Sequence, residues 1–262
     1  MSGGTVFPSR IGAFFDIDGT LARESMLIHH FKQLIRYRII DEGEWINRIR
    51  PRYLQYDKRY AEYDEYLDQV TAVYKEWLNG LNRAVIDFSA QQVVSEYGDV
   101  VYKFTRERIA WHQAQGHAVF FISGSPDFLI SKMAERYGVT DYRATAYLTD
   151  ENDCFTSEVI PMWDSVSKSH VVHEFLEKYD LDAEKSYSYG DTNGDFSMLK
   201  LLGRPTAINP SYRLLKMIQN DAQLAQRARI VLERKDVIYR LDASVLATPS
   251  LEAGMTDFAD EP

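Results

Sequence analysis

The chain has 262 residues, 45% hydrophobic and 26% charged, the balance of an ordinary folded protein large enough to bury a sizeable core. A formal net charge of −9 argues against nucleic acid as the main partner, and Cys154, the single cysteine, excludes an intrachain disulfide or a cysteine-based zinc site. The opening MSGGTVFPSR lacks the apolar core of a signal peptide, and no apolar run approaches membrane-spanning length. The expectation is a soluble, cytoplasmic protein with no membrane partner.

Residues 1–9 read as a loose lead-in. Ile11 to Phe15 form an apolar run expected to be a strand buried on both faces. It stops at Asp16 and Asp18, and the chain turns at Gly19. Residues two apart in a strand point to the same side, so both carboxylates can face one spot. Their repulsion, worsened by burial, calls for a cation or a proton-transfer task, unless the segment is only a solvated Asp-Gly turn.

From about Glu24 to Phe104 apolar residues recur at helical spacing. Met26, Leu27, Phe31, Leu34, Ile35 and Ile39 make one amphipathic stripe; Trp45, Ile46 and Ile49 start a second helix, with Pro51 as a kink or restart. Tyr53, Tyr56, Tyr60, Tyr63 and Tyr66 follow at steps of three or four and continue through Val70, Val73 and Trp77 toward Asn79-Gly80. The tyrosines read as packing on a buried helix face, or as an aromatic pocket for a cationic group. Arg48, Arg50 and Arg52 read as a solvated face rather than a carboxylate clamp, and the histidines, His170 and His173 included, form no convincing metal site.

Tyr97 to Gln115 is expected as one helix closed by Gly116, before a buried strand over Ala118 to Ile122. Ser123-Gly124-Ser125-Pro126 then leads into a helix over Phe128 to Tyr137. There Ser125 suits a helix cap and Pro126 the first helical position, while free backbone N–H groups beside Gly124 would suit an anion. A strand over Ala144 to Leu148, a hairpin over Thr149 to Ile160, a helix over Ser165 to Tyr179 and a strand over Lys185 to Tyr189 follow. Then come a helix over Phe196 to Leu202, a strand over Pro205 to Ile208, and a helix opened by Asn209-Pro210. Beyond about Arg240 periodicity is lost, and 243–262 reads as a flexible tail.

Strand–helix alternation on both sides of a helical block implies an α/β protein: a parallel sheet with an inserted helical domain. Ligands in such sheets sit beyond the carboxyl ends of the strands, where FFDIDGT, VFFISGSP and YSYGDTNGD all end. Asp16, Asp18, Asp191 and Asp195 converging there would favour a hard divalent cation, Mg2+ above all. Alternatively, Asp191 is a helix cap and Asp195 a first-turn acid. Lys168 stands near a helix start, where the dipole disfavours a cation; within reach of the crevice it could neutralise a carboxylate nucleophile and a phosphoryl group.

The order DIDGT (Asp16 to Thr20), Ser123 in ISGS, Lys168, and GDTNGD (Gly190 to Asp195) resembles the haloacid dehalogenase superfamily, and the insert after the first motif resembles its phosphoserine-phosphatase-like branch. The resemblance implies a Rossmann-like core over 1–21 and 105–242 with a helical cap over 22–104 acting as a lid. It implies Asp16 as nucleophile forming an aspartyl-phosphate, and Asp18 as general acid and base. Mg2+ would be held by Asp16, Asp18 through its backbone carbonyl, Asp191, and Asp195 through water. Ser123 and Gly124 would hold phosphoryl oxygens and Lys168 would stabilise charge, with Thr20, Glu24 and Ser125 as further substrate contacts. Two positions depart from the pattern: Gly194 stands where the family often has asparagine, and Ser25 where phosphoserine phosphatases carry a glutamate. The expected activity is hydrolysis of a small phosphorylated metabolite. Phosphoryl transfer to another acceptor and a non-enzymatic phosphoacceptor domain are the alternatives, and a homodimer is left open.

Overall fold

The computed structural model describes residues 10–243; the expected lead-in over 1–9 and the expected tail, apart from Ala243, lie outside them. Eight strands form one sheet in the order β4-β3-β2-β1-β5-β6-β7-β8. The parallel centre consists of β1 (Gly12–Phe15), β2 (Ala118–Pro126), β3 (Asp141–Thr149), β5 (Tyr187–Gly190), β6 (Arg204–Ile208) and β7 (Arg229–Arg234). Antiparallel partners β4 (Phe155–Ile160) and β8 (Val237–Asp242) close its two edges.

The apolar run of β1 is buried on both faces, as expected. Phe14 stacks on Phe120 at 4.8 Å and packs with Val172 and Phe175 of α8 (Ser165–Lys178) on one side. Phe15 stacks on Tyr189 at 4.3 Å on the other, within the large cluster that continues into the helices after β1. Because β1 pairs with β2 on one side and β5 on the other, the topological switch falls at its carboxyl end, where a crevice opens.

Between β1 and β2 there are helices only. They are α1 (Met26–Arg36), α2 (Glu42–Glu44) running through a π-helical turn at Trp45–Ile49 into α3 (Arg50–Asp57), α4 (Tyr63–Leu78), α5 (Arg83–Tyr97) and α6 (Lys103–Ala114). Pro51 stands in the first turn of α3, a position that needs no N–H donor. Two expected helices are each divided. The tyrosine run breaks between α3 and α4, where Arg59 takes φ +63° and Tyr60 is 79% exposed. The span Tyr97 to Gln115 breaks after α5 at Gly98, and α6 begins only at Lys103.

The arginines of this block do form a polar face. Arg48 pairs with Glu44 and Glu76, and Arg52 with Glu65. After β2 come α7 (Asp127–Tyr137), ended by Gly138 in the left-handed region, then the β3–β4 hairpin, α8, β5, α9 (Phe196–Leu201) and β6. The chain finishes with α10 (Tyr212–Asn220), α11 (Ala222–Arg227) and the β7–β8 hairpin. That hairpin was not expected; it keeps regular structure to Asp242 and buries Ala243. No helix of the described residues is long and apolar enough to cross a membrane.

Candidate active site

The carboxyl ends of β1, β2 and β5 and the first turn of α8 bring Asp16, Asp18, Ser123, Lys168, Asp191 and Asp195 together. Asp16 follows the last residue of β1, and its N–H donates to the Tyr189 carbonyl at 3.0 Å, which continues the ladder by one residue. Its side chain is 7% exposed. Lys168, 3% exposed, donates to Asp16 Oδ1 and Asp195 Oδ1, each at 2.6 Å. A buried ammonium between two carboxylates is the arrangement that makes a lysine near a helix N-terminus tolerable.

One oxygen each of Asp16, Asp191 and Asp195 lie within 4.8 Å of one another. Burial pushes the Asp16 carboxyl up to about 8; Lys168 opposes this, while Asp195 and Asp18 add to it. Burial first, then the Asp16 and Asp195 charges, push Asp191 well above the carboxylate range. Crowded, desolvated carboxylates of this kind fit a hard divalent cation, because it would remove both the repulsion and the desolvation cost.

The four aspartates have different surroundings. Asp18 turns away from the cluster: Oδ1 accepts from the Met26 N–H at 2.8 Å and Oδ2 from the Ser125 hydroxyl at 2.5 Å. Burial raises its pKa against those two donors. Asp195 Oδ2 accepts from the N–H groups of Asp191 and Thr192, both at 3.0 Å, while Oδ1 accepts from Lys168. With both oxygens engaged, Asp195 is suited to bracing the loop and the lysine rather than to gripping an ion directly. Asp191 accepts at Oδ1 alone, from the Thr20 hydroxyl at 2.9 Å. Gly19 makes this approach possible: its φ is +83°, and a Cβ there would stand 2.1 Å from Asp191 Oδ2.

Two capping expectations are corrected. Pro126, not Ser125, is the N-cap of α7, and β2 extends through the Ser-Gly-Ser-Pro segment, so the Ser125 hydroxyl is free to serve Asp18. Thr192, not Asp191, caps the short turn Asn193–Asp195, and Asp195 closes that capping box. Ser123 is fully buried; its Oγ accepts from the Ser125 N–H at 3.1 Å. Glu24 lies apart from these contacts, its side chain 62% exposed and 3.6 Å from His29. Ser25 is buried at the N-cap of α1, without a side-chain capping bond.

Trp163 carried no readable signal, and the tyrosines were legible as a helical stripe but not as a cluster across two helices. Trp163, 47% exposed, lies against the β2 loop: a Cβ on Gly124 would stand 3.0 Å from its Cβ. Tyr53, Tyr56, Tyr63 and Tyr66 gather across the α3–α4 break, with neighbouring ring centroids 5.2–6.0 Å apart. Burial, then the Asp18 charge, Tyr66 and the Asp191 charge, hold the Tyr63 hydroxyl well above its usual pKa.

The family model for haloacid dehalogenase-like hydrolases matches residues 13–200, so the chain belongs to that family. A protein named for inhibition of morphological differentiation, from Streptomyces azureus, is 26% identical over 78% of this chain and 74% of its own length. A phosphoserine phosphatase of Mycobacterium tuberculosis is 24% identical over 82% of this chain and 72% of its own. Among solved structures, a protein of unknown function from Bordetella pertussis Tohama I superposes with a TM-score of 0.66 at 20% identity, covering 81% of this chain and 96% of that one; the likeness is one of fold. The chain is an enzyme of the phosphatase type with a Rossmann-like α/β fold carrying helical insertions, which sets aside the reading as a non-enzymatic phosphoacceptor.

Proposed function

We propose that the chain is a Mg2+-dependent phosphomonoesterase that hydrolyses a small phosphorylated metabolite through an aspartyl-phosphate on Asp16. The observation that carries this is the divergence of two aspartates two residues apart: Asp16 lies against Lys168, and Asp18 against Ser125 and the Met26 N–H. An Asp16 oxygen attacks phosphorus as the ester P–O bond breaks, and Asp18 donates its proton to the departing alkoxide. Asp18, now ionised, takes a proton from water as that water attacks the same phosphorus; the Asp16–phosphate bond breaks and inorganic phosphate leaves. One carboxyl serving as acid and then base must titrate near neutrality, and burial against two donors moves Asp18 in that direction. Ser123 and the Gly124 N–H would hold phosphoryl oxygens, and Lys168 would offset charge on Asp16 and the phosphoryl group.

Asp16, Asp191 and the Asp18 carbonyl would hold Mg2+, with Asp195 behind them. When bound, the ion supplies charge neutralisation at the phosphoryl oxygens. Residues 22–104 would act as the lid over the core of 1–21 and 105–242, with the tyrosine cluster forming its inner surface. Arg213 of α10 meets Glu62 at 2.5 Å and Asp64 at 3.4 Å across this boundary. Phosphoserine is disfavoured as the substrate, since Ser25 offers no carboxylate for its ammonium group and Glu24 turns to His29. The aromatic cluster favours a phosphate ester with a cationic or ring-bearing end.

The test is phosphate release from an aryl phosphate and a panel of phosphorylated amines, amino alcohols and sugars, with Mg2+ and with EDTA. Activity should require Mg2+ and vanish in Asp16→Asn; hydrolysis at the wild-type rate in that variant would sink the proposal.

A further inference from the structure

At the other end of β5 and β6, away from the aspartates, the sheet face beside α6 opens into a cavity of about 690 Å³. Strand register explains its lining. Tyr187 pairs with Arg204; Tyr189, Thr206, Arg229 and Asp242 lie in the next row; Val231 and Arg240 lie in the row after. Alternation along each strand puts these side chains on one face. Arg227 closes the floor, and α6 adds Arg108 and Trp111 as a wall.

The cavity's charge is the reverse of the protein's. Five arginines, Arg108, Arg204, Arg227, Arg229 and Arg240, line it in a chain of net charge −9. Elsewhere among the described residues Arg36, Arg48, Arg52, Arg136, Arg143 and Arg213 form ion pairs with carboxylates, but none of these five does. Among the described residues Asp242 is the only acid on the wall.

Three of the five are fixed by neutral groups. Arg108 donates to the Tyr189 hydroxyl at 3.1 Å, Arg204 to the Tyr187 hydroxyl, and Arg227 to the Leu202 carbonyl at 2.6 Å. Their positions are set while their charges stay uncancelled. The flat surfaces are placed likewise: the Arg108 guanidinium lies 4.0 Å from the Trp111 ring centroid, and that of Arg204 lies 4.9 Å from Tyr187.

Like charges held together with so little opposing charge are costly unless a polyanion joins them, and guanidinium and aromatic planes are the surfaces on which a heteroaromatic ring stacks. We propose that this cavity binds a nucleotide, its di- or triphosphate on Arg227, Arg229 and Arg240 and its base against the Arg108, Trp111 and Tyr187 wall. The volume is that of a small-molecule site. A nucleic-acid polymer would also meet the protein's net negative surface, which disfavours it.

The experiment is calorimetric titration of the full chain with β,γ-methylene ATP in EDTA. One molecule should bind per chain and weaken as salt rises. Binding should survive Asp16→Asn and weaken at least tenfold in R229A/R240A, with aryl phosphatase activity and Tm retained in the latter. Tripolyphosphate should bind more weakly than the nucleotide, and adenosine more weakly still. Absence of binding overturns the proposal, as does equal affinity in R229A/R240A, which would put the nucleotide at the aspartates. Tripolyphosphate matching the nucleotide overturns it too, because the base would then contribute nothing.

Discussion

Ser125→Ala separates a proton-transfer role from a capping role. The Ser125 hydroxyl donates to Asp18 Oδ2 at 2.5 Å, and the N-cap of α7 is Pro126. A hydrogen bond to a charged group contributes about 1.5–3 kcal/mol. The bond therefore holds the Asp18 carboxyl down against the upward push of burial. The donor favours the ionised form; its removal therefore raises the pKa further, in the direction burial already pushes it. In the proposed reaction the water step needs Asp18 ionised, so the acid limb of kcat should move to higher pH. Loss of the bond should also lower stability at neutral pH, by about the 1.5–3 kcal/mol it contributes, so the two roles are told apart by the pH profile. The assay is kcat for an aryl phosphate from about pH 5 to pH 9, beside urea unfolding of both proteins. An acid limb that stays at its wild-type pH in Ser125→Ala would refute the reasoning.

Three other perturbations test separate parts of the structure. Lys168→Met leaves Asp16 and Asp195 buried without their shared cation, so stability should fall by about 3–5 kcal/mol and kcat by about 10²–10³-fold; a urea melt and kinetics near wild type would count against both roles. Gly19→Ala puts a Cβ 2.1 Å from Asp191 Oδ2 at a φ of +83°, so the displaced loop should lower kcat by about 100-fold, and wild-type turnover would show that the approach is not needed. His30 is fully buried, its Nδ1 2.5 Å from the Tyr74 hydroxyl and Nε2 2.6 Å from that of Ser89, which itself donates to the Ile86 carbonyl; burial lowers its pKa from 6.5 to about 3. Below pH 6.5 the unfolded chain takes up a proton that the folded ring refuses, so stability should fall with pH by about 1.4 kcal/mol per unit, or about 2 kcal/mol by pH 5; His30→Gln should lack that component in urea melts, and an unchanged pH slope would contradict it.

What could be read in the sequence depended on whether a residue's task is local. Asp16 and Asp18 were legible because a buried strand leaves few conformations and two carboxylates at its end demand a compensating partner. The sheet was legible for the same reason, with Phe14 and Phe15 packing on opposite faces. Ser125 and Asp191 were harder. A serine or aspartate before a helix is explained equally well by capping, and only the three-dimensional neighbours show Ser125 on Asp18 and Asp191 beside Thr20. The tyrosines kept helical spacing across a break because a short turn such as Lys58–Glu62 advances the count without preserving the axis. The β7–β8 hairpin was hidden by its composition: Arg229, Arg234, Arg240 and Asp242 interrupt the apolar pattern because much of this edge is solvated.

The same charges suggest an order of binding for the proposed reaction. Asp16, Asp18, Asp191 and Asp195 share the crevice with one ammonium, Lys168, which contacts Asp16 and Asp195, so full ionisation would leave four negative charges against one positive, a net −3. A phosphate ester dianion would be repelled by that arrangement, and the lysine alone cannot reverse it. A divalent cation would lower the sum to −1, and a proton on Asp18, the form burial favours, would lower it to zero. Cation first and ester second, with Asp18 protonated, is therefore the sequence that never places a dianion on a net negative site. It is also the protonation state that the first chemical step requires, since Asp18 must then give its proton to the leaving alkoxide. Binding of orthovanadate or inorganic phosphate should accordingly be weak in EDTA and strong with Mg2+, and tight binding without the cation would break the argument at its first step.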